Sequence, residues 1–230
     1  NEGIHTLFTE VVADKTMAYL ADGFSNLVTI WDVSDPEVPV RAGAFELADP
    51  DWAVHDLYVE EGRMYLNGTV GGMVVVDTQP NPAAPVQVGH FTPDNLTYSH
   101  SNWVTTVGGR KITVHGDEGF DAHFRIVDVD PESDEFMQEI GSYQTRPQVS
   151  AHNVMAFGDK AYAAYYQDGI RVLDLSDPTN PTEAAHFNTW DPANAPGGRF
   201  EGAVGLDLDL DRGLLFVADN PRGLLILREE

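Results

Sequence analysis

The sequence predicts an all-β fold assembled from five copies of one four-stranded unit, and three observations carry that prediction. A segment made of an apolar run, an aspartate and a proline-rich turn recurs as VTIWDVSDPEVP from Val28, MVVVDTQPNPAAP from Met73, FRIVDVDPESDEF from Phe124 and IRVLDLSDPTNP from Ile170. Its aspartates, Asp32, Asp77, Asp128 and Asp174, stand 45, 51 and 46 positions apart, a period that marks a stacked array of one supersecondary unit. Short runs rich in Val, Tyr, Phe, Leu and Thr flank the segment, and no stretch sustains a helical period.

Each unit supplies its strands in a fixed order. The first two read as a hairpin around a Gly or Asp/Lys turn: HTLFTEVVADKTMAYLA from His5, HDLYVEEGRMYLNG from His55, HSNWVTTVGGRKITVHG from His100, HNVMAFGDKAYAAYY from His152 and VGLDLDLDRGLLFVAD from Val204. The third is the run that ends in the repeat aspartate. That aspartate then bonds its own backbone while proline presets φ, which makes it a turn residue. The fourth is VRAGAFEL, VQVGHF, QEIGSY or EAAHFN. The fifth copy, GLLILREE from Gly223, has Arg228 in the aspartate's place and stops after its third strand. One such sheet cannot bury both faces alone, so the expectation is a single domain over residues 1–230. It would be a five-bladed β-propeller of four-stranded antiparallel blades at about 1–46, 47–91, 92–143, 144–187 and 188–230. A strand from Asn1 to Leu7 is expected to close the fifth blade, because an unpaired outer edge is a liability.

The copy GIRVLDLSDPTNPTEAAHF, from Gly169 to Phe187, resembles the LVIVD-repeat family. The likeness is strong at Asp32 and Asp174, looser at Asp77 and weaker at Asp128, where VDVDPESDEF lacks the Ser-Asp-Pro order. The resemblance implies a bacterial propeller found outside the cytoplasm, hence an extracellular or periplasmic location with a signal peptide removed. It implies no single activity.

Composition narrows the function. A formal charge of −24, from 37 acidic against 13 basic residues, disfavours nucleic acid as a partner and favours solubility or cation capture. No apolar run reaches the roughly 18 residues of a membrane span. With no cysteine, disulfides and thiolate metal sites are excluded. Gly-x-Ser-x-Gly, His-Glu-x-x-His and glycine-rich phosphate loops are all missing, which disfavours nucleophile-elbow hydrolysis, zincin chemistry and nucleotide chemistry.

Four histidines, His5, His55, His100 and His152, precede the first strand of successive blades, and Val204 breaks the series in the fifth. In a propeller those positions converge on the axis, so four imidazoles would make a nitrogen-rich site for iron, copper or zinc. The arrangement resembles, in architecture only, the four-histidine iron site of carotenoid-cleaving oxygenase propellers. The competing reading is structural, as in WD-repeat propellers, where a histidine at this junction bonds within its own blade. The loop HGDEGFDAH adds His115, Asp117, Asp121 and His123 as secondary metal candidates, calcium included, and Glu118 as a general base or a partner that orients an imidazole. Glu201 is expected to bring a carboxylate where the fifth blade lacks histidine. Trp52, Tyr98, Tyr166 and Trp190 are expected to line the mouth for a small organic molecule or a peptide, with Asn188–Gly202 as a lid. His90 and His186 read as structural. Two functions follow: a monomeric metal-binding propeller that works as a Lewis-acid or redox enzyme, or a non-catalytic module that presents loops to a protein or glycan. Glycoside hydrolysis is a weaker third, since it needs two acids on the axis.

Overall fold

The computed structural model describes residues 3–193 and 198–228. The regular structure in them is β throughout: five antiparallel sheets, each a meander in which consecutive strands are neighbours. The first sheet is β1 (Thr6–Val12), β2 (Lys15–Ala21), β3 (Leu27–Asp32) and β4 (Val40–Glu46). The second is β5 (Asp56–Glu60), β6 (Arg63–Asn67), β7 (Met73–Asp77) and β8 (Val86–Phe91). The third is β9 (Ser99–Val107), β10 (Arg110–Asp117), β11 (Phe124–Asp128) and β12 (Glu139–Tyr143). The fourth is β13 (Val154–Phe157), β14 (Lys160–Tyr165), β15 (Gly169–Asp174) and β16 (Thr182–Phe187). The fifth has three strands, β17 (Ala203–Asp209), β18 (Leu214–Asp219) and β19 (Gly223–Arg228). No helix among the described residues is long and apolar enough to cross a membrane.

Turn chemistry explains the hairpins. Tight two-residue turns need positive φ at both central positions, and Ala13–Asp14, Glu61–Gly62 and Gly108–Gly109 supply it. The repeat aspartates do the structural work expected of them. Lys15 Nζ donates to Asp32 at 2.7 Å, Arg63 Nε to Asp77 at 2.6 Å and Arg110 Nε to Asp128 at 2.7 Å, each tying the second strand to the end of the third. The same carboxylates accept turn N–H groups, from Ser34 onto Asp32 and from Asp130 onto Asp128. The hydrogen bonds from Lys15 and Ser34 hold Asp32 down at about 2.

The four complete sheets share one irregularity. Between third and fourth strands the register slips just after Ile30, Val75, Ile126 and Val172, the residues opposite Gly43, Gly89, Gly141 and Ala185. A bulge at this point bends the outer strand and adds twist. Two of the glycines are required by close approach: a Cβ on Gly43 would lie 1.8 Å from the Pro82 carbonyl oxygen, and one on Gly141 would lie 2.4 Å from that of Pro178. The proline turn of a following repeat therefore rests on the outer strand.

The chain forms two compact units, Asn1–Asn102 and Trp103–Glu230. In the first, Tyr19, Val28 and Ile30 of the first sheet bury against Leu57, Val59, Leu66 and Val74 of the second. In the second, Val114, Phe124 and Ile126 join Ala161, Ala163 and Leu173 in one core, while Ile170 and Val172 pack with Leu215 and Val217 in another. Each fully buried Val, Leu, Ile or Phe side chain among them contributes about 1.5–3 kcal/mol.

Two expectations change. His100 lies inside β9 rather than ahead of it, because pairing of that strand starts at Ser99. Of the segment expected to close the fifth blade, Asn1 and Glu2 lie outside the described residues, and Thr6 and Leu7 are used in β1, paired with Ala21 and Leu20. The alternation of TLFTEVV suits the first sheet, so those residues form its own first strand.

Candidate functional site

The repeat places histidine at an equivalent backbone position in both units. The N–H of His5 donates to Ala21, that of His55 to Asn67 and that of His152 to Ala164, all at 2.9 Å. Each bond closes the open end of a first-strand hairpin, so the side chain leaves the sheet at the same point each time.

In the first unit the rings of His5, His55 and His100 form a row. Centroids of His5 and His55 are 4.3 Å apart, and those of His55 and His100 are 4.6 Å apart. His5 is exposed, His55 half-buried and His100 buried. Nε2 of His5 and Nε2 of His55 face each other at 3.2 Å. Tyr98 Oη lies 3.3 Å from His55 Nδ1. If Nδ1–H donates to that oxygen, the Nε2 lone pair is turned toward His5, the tautomer that a metal ligand needs.

In the second unit His152, Glu118 and Tyr166 come together. Nδ1 of His152 meets the Val204 carbonyl. A carbonyl can only accept, so Nδ1 carries the proton and Nε2 is the basic nitrogen of the neutral ring. Nε2 looks toward Glu118 Oε1 at 3.9 Å. That gap is too long for a hydrogen bond and short enough for one cation to bridge. The Tyr166 hydroxyl donates to Glu118 Oε1 at 2.6 Å and fixes the carboxylate. Burial, then the Glu118 carboxylate, push the Tyr166 phenol well above its usual range. Tyr166 holds this pose at φ 30°, which a non-glycine residue rarely adopts.

The other expected residues fall into different roles. Tyr98 and Tyr166 touch a histidine and a carboxylate through their hydroxyls, a role their aromatic character did not signal. Trp52 is half-buried against the first-unit core, and a Cβ on Gly71 would lie 2.2 Å from its ring. Trp190 Nε1 donates to Glu201 at 3.3 Å, so these two expected groups hold each other. His115 and Asp117 belong to β10 and are fully buried, with Asp117 paired to Arg125. Asp121 is exposed and accepts from Gln144, while burial, then Arg125, lower the pKa of His123. Among the described residues these four do not bring three ligand atoms together. His90 bonds the Gly71 carbonyl at 2.6 Å and His186 meets Glu183 at 2.8 Å. Residues 194–197 of the expected lid lie outside the described residues. Sequence reasoning missed the Val204 carbonyl, which acts through its backbone and leaves no trace in residue type.

Residues 150–189 match the family described as LVIVD repeat. No curated protein matches the chain. The crystal structure of the computationally designed Ika8 protein superposes with a TM-score of 0.62 at 11% sequence identity, over 99% of this chain and 61% of that one. This chain thus spans about three fifths of that structure's length, and the likeness shows fold alone.

Proposed function

We propose that this chain is an exported five-bladed β-propeller that holds a transition-metal ion, iron, copper or zinc, through the repeat-encoded imidazoles of His5, His55, His100 and His152. The observation that carries the reading is the 3.2 Å separation of His5 Nε2 and His55 Nε2. Two imidazoles bound to one tetrahedral ion at about 2.0–2.1 Å hold their nitrogens roughly 3.3 Å apart, so little rearrangement is needed to admit an ion. Ring contact with His55 extends the set to His100, and equivalence in the repeat extends it to His152. The tautomer imposed by Val204 leaves His152 Nε2 as the nitrogen to ligate.

Glu118, held by Tyr166, is the group to accept or return a proton, and Glu201 is a second carboxylate tied to Trp190. The metal would supply Lewis-acid or redox chemistry toward a small organic substrate or peptide. A second reading is favoured by one contact: His152 bonded to Val204 links the fourth and fifth sheets. In that reading the histidines stitch sheets together and the protein is a non-catalytic interaction module.

Titration calorimetry with zinc chloride separates the readings. Saturable binding that weakens by about 100-fold or more in His55→Ala, beyond the usual loss from an outer partner, supports the metal site. Absence of binding, with His152→Ala lowering thermal stability, supports the stitch.

A further inference from the structure

In the second unit, two exposed phenylalanines from different connections pack on one arginine beside His152, Glu118 and Tyr166. Phe120 lies in the loop between β10 and β11, two residues after Glu118. Phe200 follows Arg199 in the connection between β16 and β17. Arg199 Cζ sits 3.8 Å from the centre of the Phe120 ring and 4.9 Å from that of Phe200. Phe200 in turn is 5.3 Å from the Tyr166 ring, which is 5.0 Å from that of His152. The Tyr166 phenol, raised by burial and then by Glu118, is pulled back by the Arg199 charge.

The backbone around this stack is pinned. The Gly198 carbonyl accepts from Gln167 Nε2 at 2.9 Å and the Phe200 carbonyl from Asn220 Nδ2 at 3.0 Å, one on each side of Arg199. The N–H of Gly119 donates to Ser150 Oγ at 2.8 Å and that of Asp121 to the Pro147 carbonyl at 2.9 Å, one on each side of Phe120. The chain carries 37 acidic residues, yet among the described residues none pairs with Arg199 and no acceptor takes its N–H groups.

We propose that Arg199, Phe120 and Phe200 form a subsite for the carboxylate of a small, flat organic acid whose body reaches toward Glu118 and His152. Aromatic rings engage the face of a guanidinium and leave its N–H donors, which lie in its plane, open at the edge. A carboxylate meets that edge with two parallel hydrogen bonds, a match that a lysine ammonium lacks. Phe120 and Phe200 stay 56% and 43% exposed, so apolar area remains for an aromatic or conjugated body. A net charge of −24 repels anions in general, so an acid that binds here is held by this local cation and not by the field of the protein. What Glu118 and His152 do to the bound acid rests on the enzyme reading above; the subsite itself needs no metal.

The test is isothermal titration calorimetry of chelator-treated protein with trans-cinnamate, a conjugated carboxylate, and with cinnamamide, its neutral counterpart. Saturable cinnamate binding with a Kd of about 1 mM or tighter is expected, with cinnamamide at least about tenfold weaker. Affinity for cinnamate is expected to fall at least about tenfold in Arg199→Gln and about threefold in Phe120→Ala. It should stay within about twofold in Arg212→Gln, which removes another exposed cation of the same unit. Circular dichroism confirms that the variants fold, which their exposed positions permit. No saturation by about 10 mM overturns the proposal, as does equal affinity for the amide or in Arg199→Gln. A parallel titration with zinc chloride keeps the two readings apart. Zinc uptake without cinnamate binding overturns the subsite alone, whereas cinnamate binding without zinc uptake supports the subsite and removes the metal reading.

Discussion

Arg125 is buried to 1% exposure and pairs with Asp117, itself fully buried, and with Glu139 at 3.2 Å. Removing one member of such a set leaves an uncompensated charge in the core, which costs about 3–5 kcal/mol. Urea unfolding of Arg125→Met is therefore expected to show a loss of that order, and a loss below about 1 kcal/mol would mean that the pair is solvated. His115 lies beside this pair, 4.0 Å from Asp117. Burial, then the Arg125 charge, push it down to about 3, so it is neutral in the fold and titrates normally once unfolded. Its contribution is complete above about pH 6.5 and drains as pH falls toward 3, by up to about 1.4 kcal/mol per pH unit. Denaturation at pH 7 and pH 5 should show a steeper fall in wild type than in His115→Gln; identical slopes would refute the assignment. The loop HGDEGFDAH looks solvated in sequence because its residues are polar. What the sequence hides is that β10 runs to Asp117 and that Arg125, in the otherwise apolar run FRIV, pairs inward.

At the scale of the element, period-two alternation, hairpin turns and the Asp-Pro segment made nearly every strand legible. The shared bulge was not, since it arises from pairing between strands and no single strand announces it. Its consequence is the small residue at the bend. Gly43→Val drives a branched side chain into the Pro82 carbonyl and is expected to cost at least about 2 kcal/mol in thermal or urea unfolding. Ala185→Val, at the same repeat position with no proline turn against it among the described residues, should stay within about 0.5 kcal/mol. Equal effects at the two sites would show that the proline turn does not dictate the glycine.

Across the whole molecule, five repeats give five sheets; a histidine stands just ahead of the first strand in three of them and inside β9 in the third sheet. His5, His55 and His152 share one backbone hydrogen bond, and the recurrence of histidine ahead of the repeat aspartates was legible. The partners that tune it were not: Tyr98 and Tyr166 lie far from their targets in sequence, and Val204 acts through its carbonyl. The net charge of −24 adds a general attraction for cations that salt screens. A specific site must therefore hold its ion when ionic strength is raised. The most direct measurement is the metal content of protein purified without chelator and washed in high salt. The account predicts one iron, copper or zinc ion per chain, reduced to background in a folded His55→Ala/His152→Ala double variant. Metal-free wild-type protein that takes up none of these ions when they are supplied, or a double variant that retains its full complement, would contradict it.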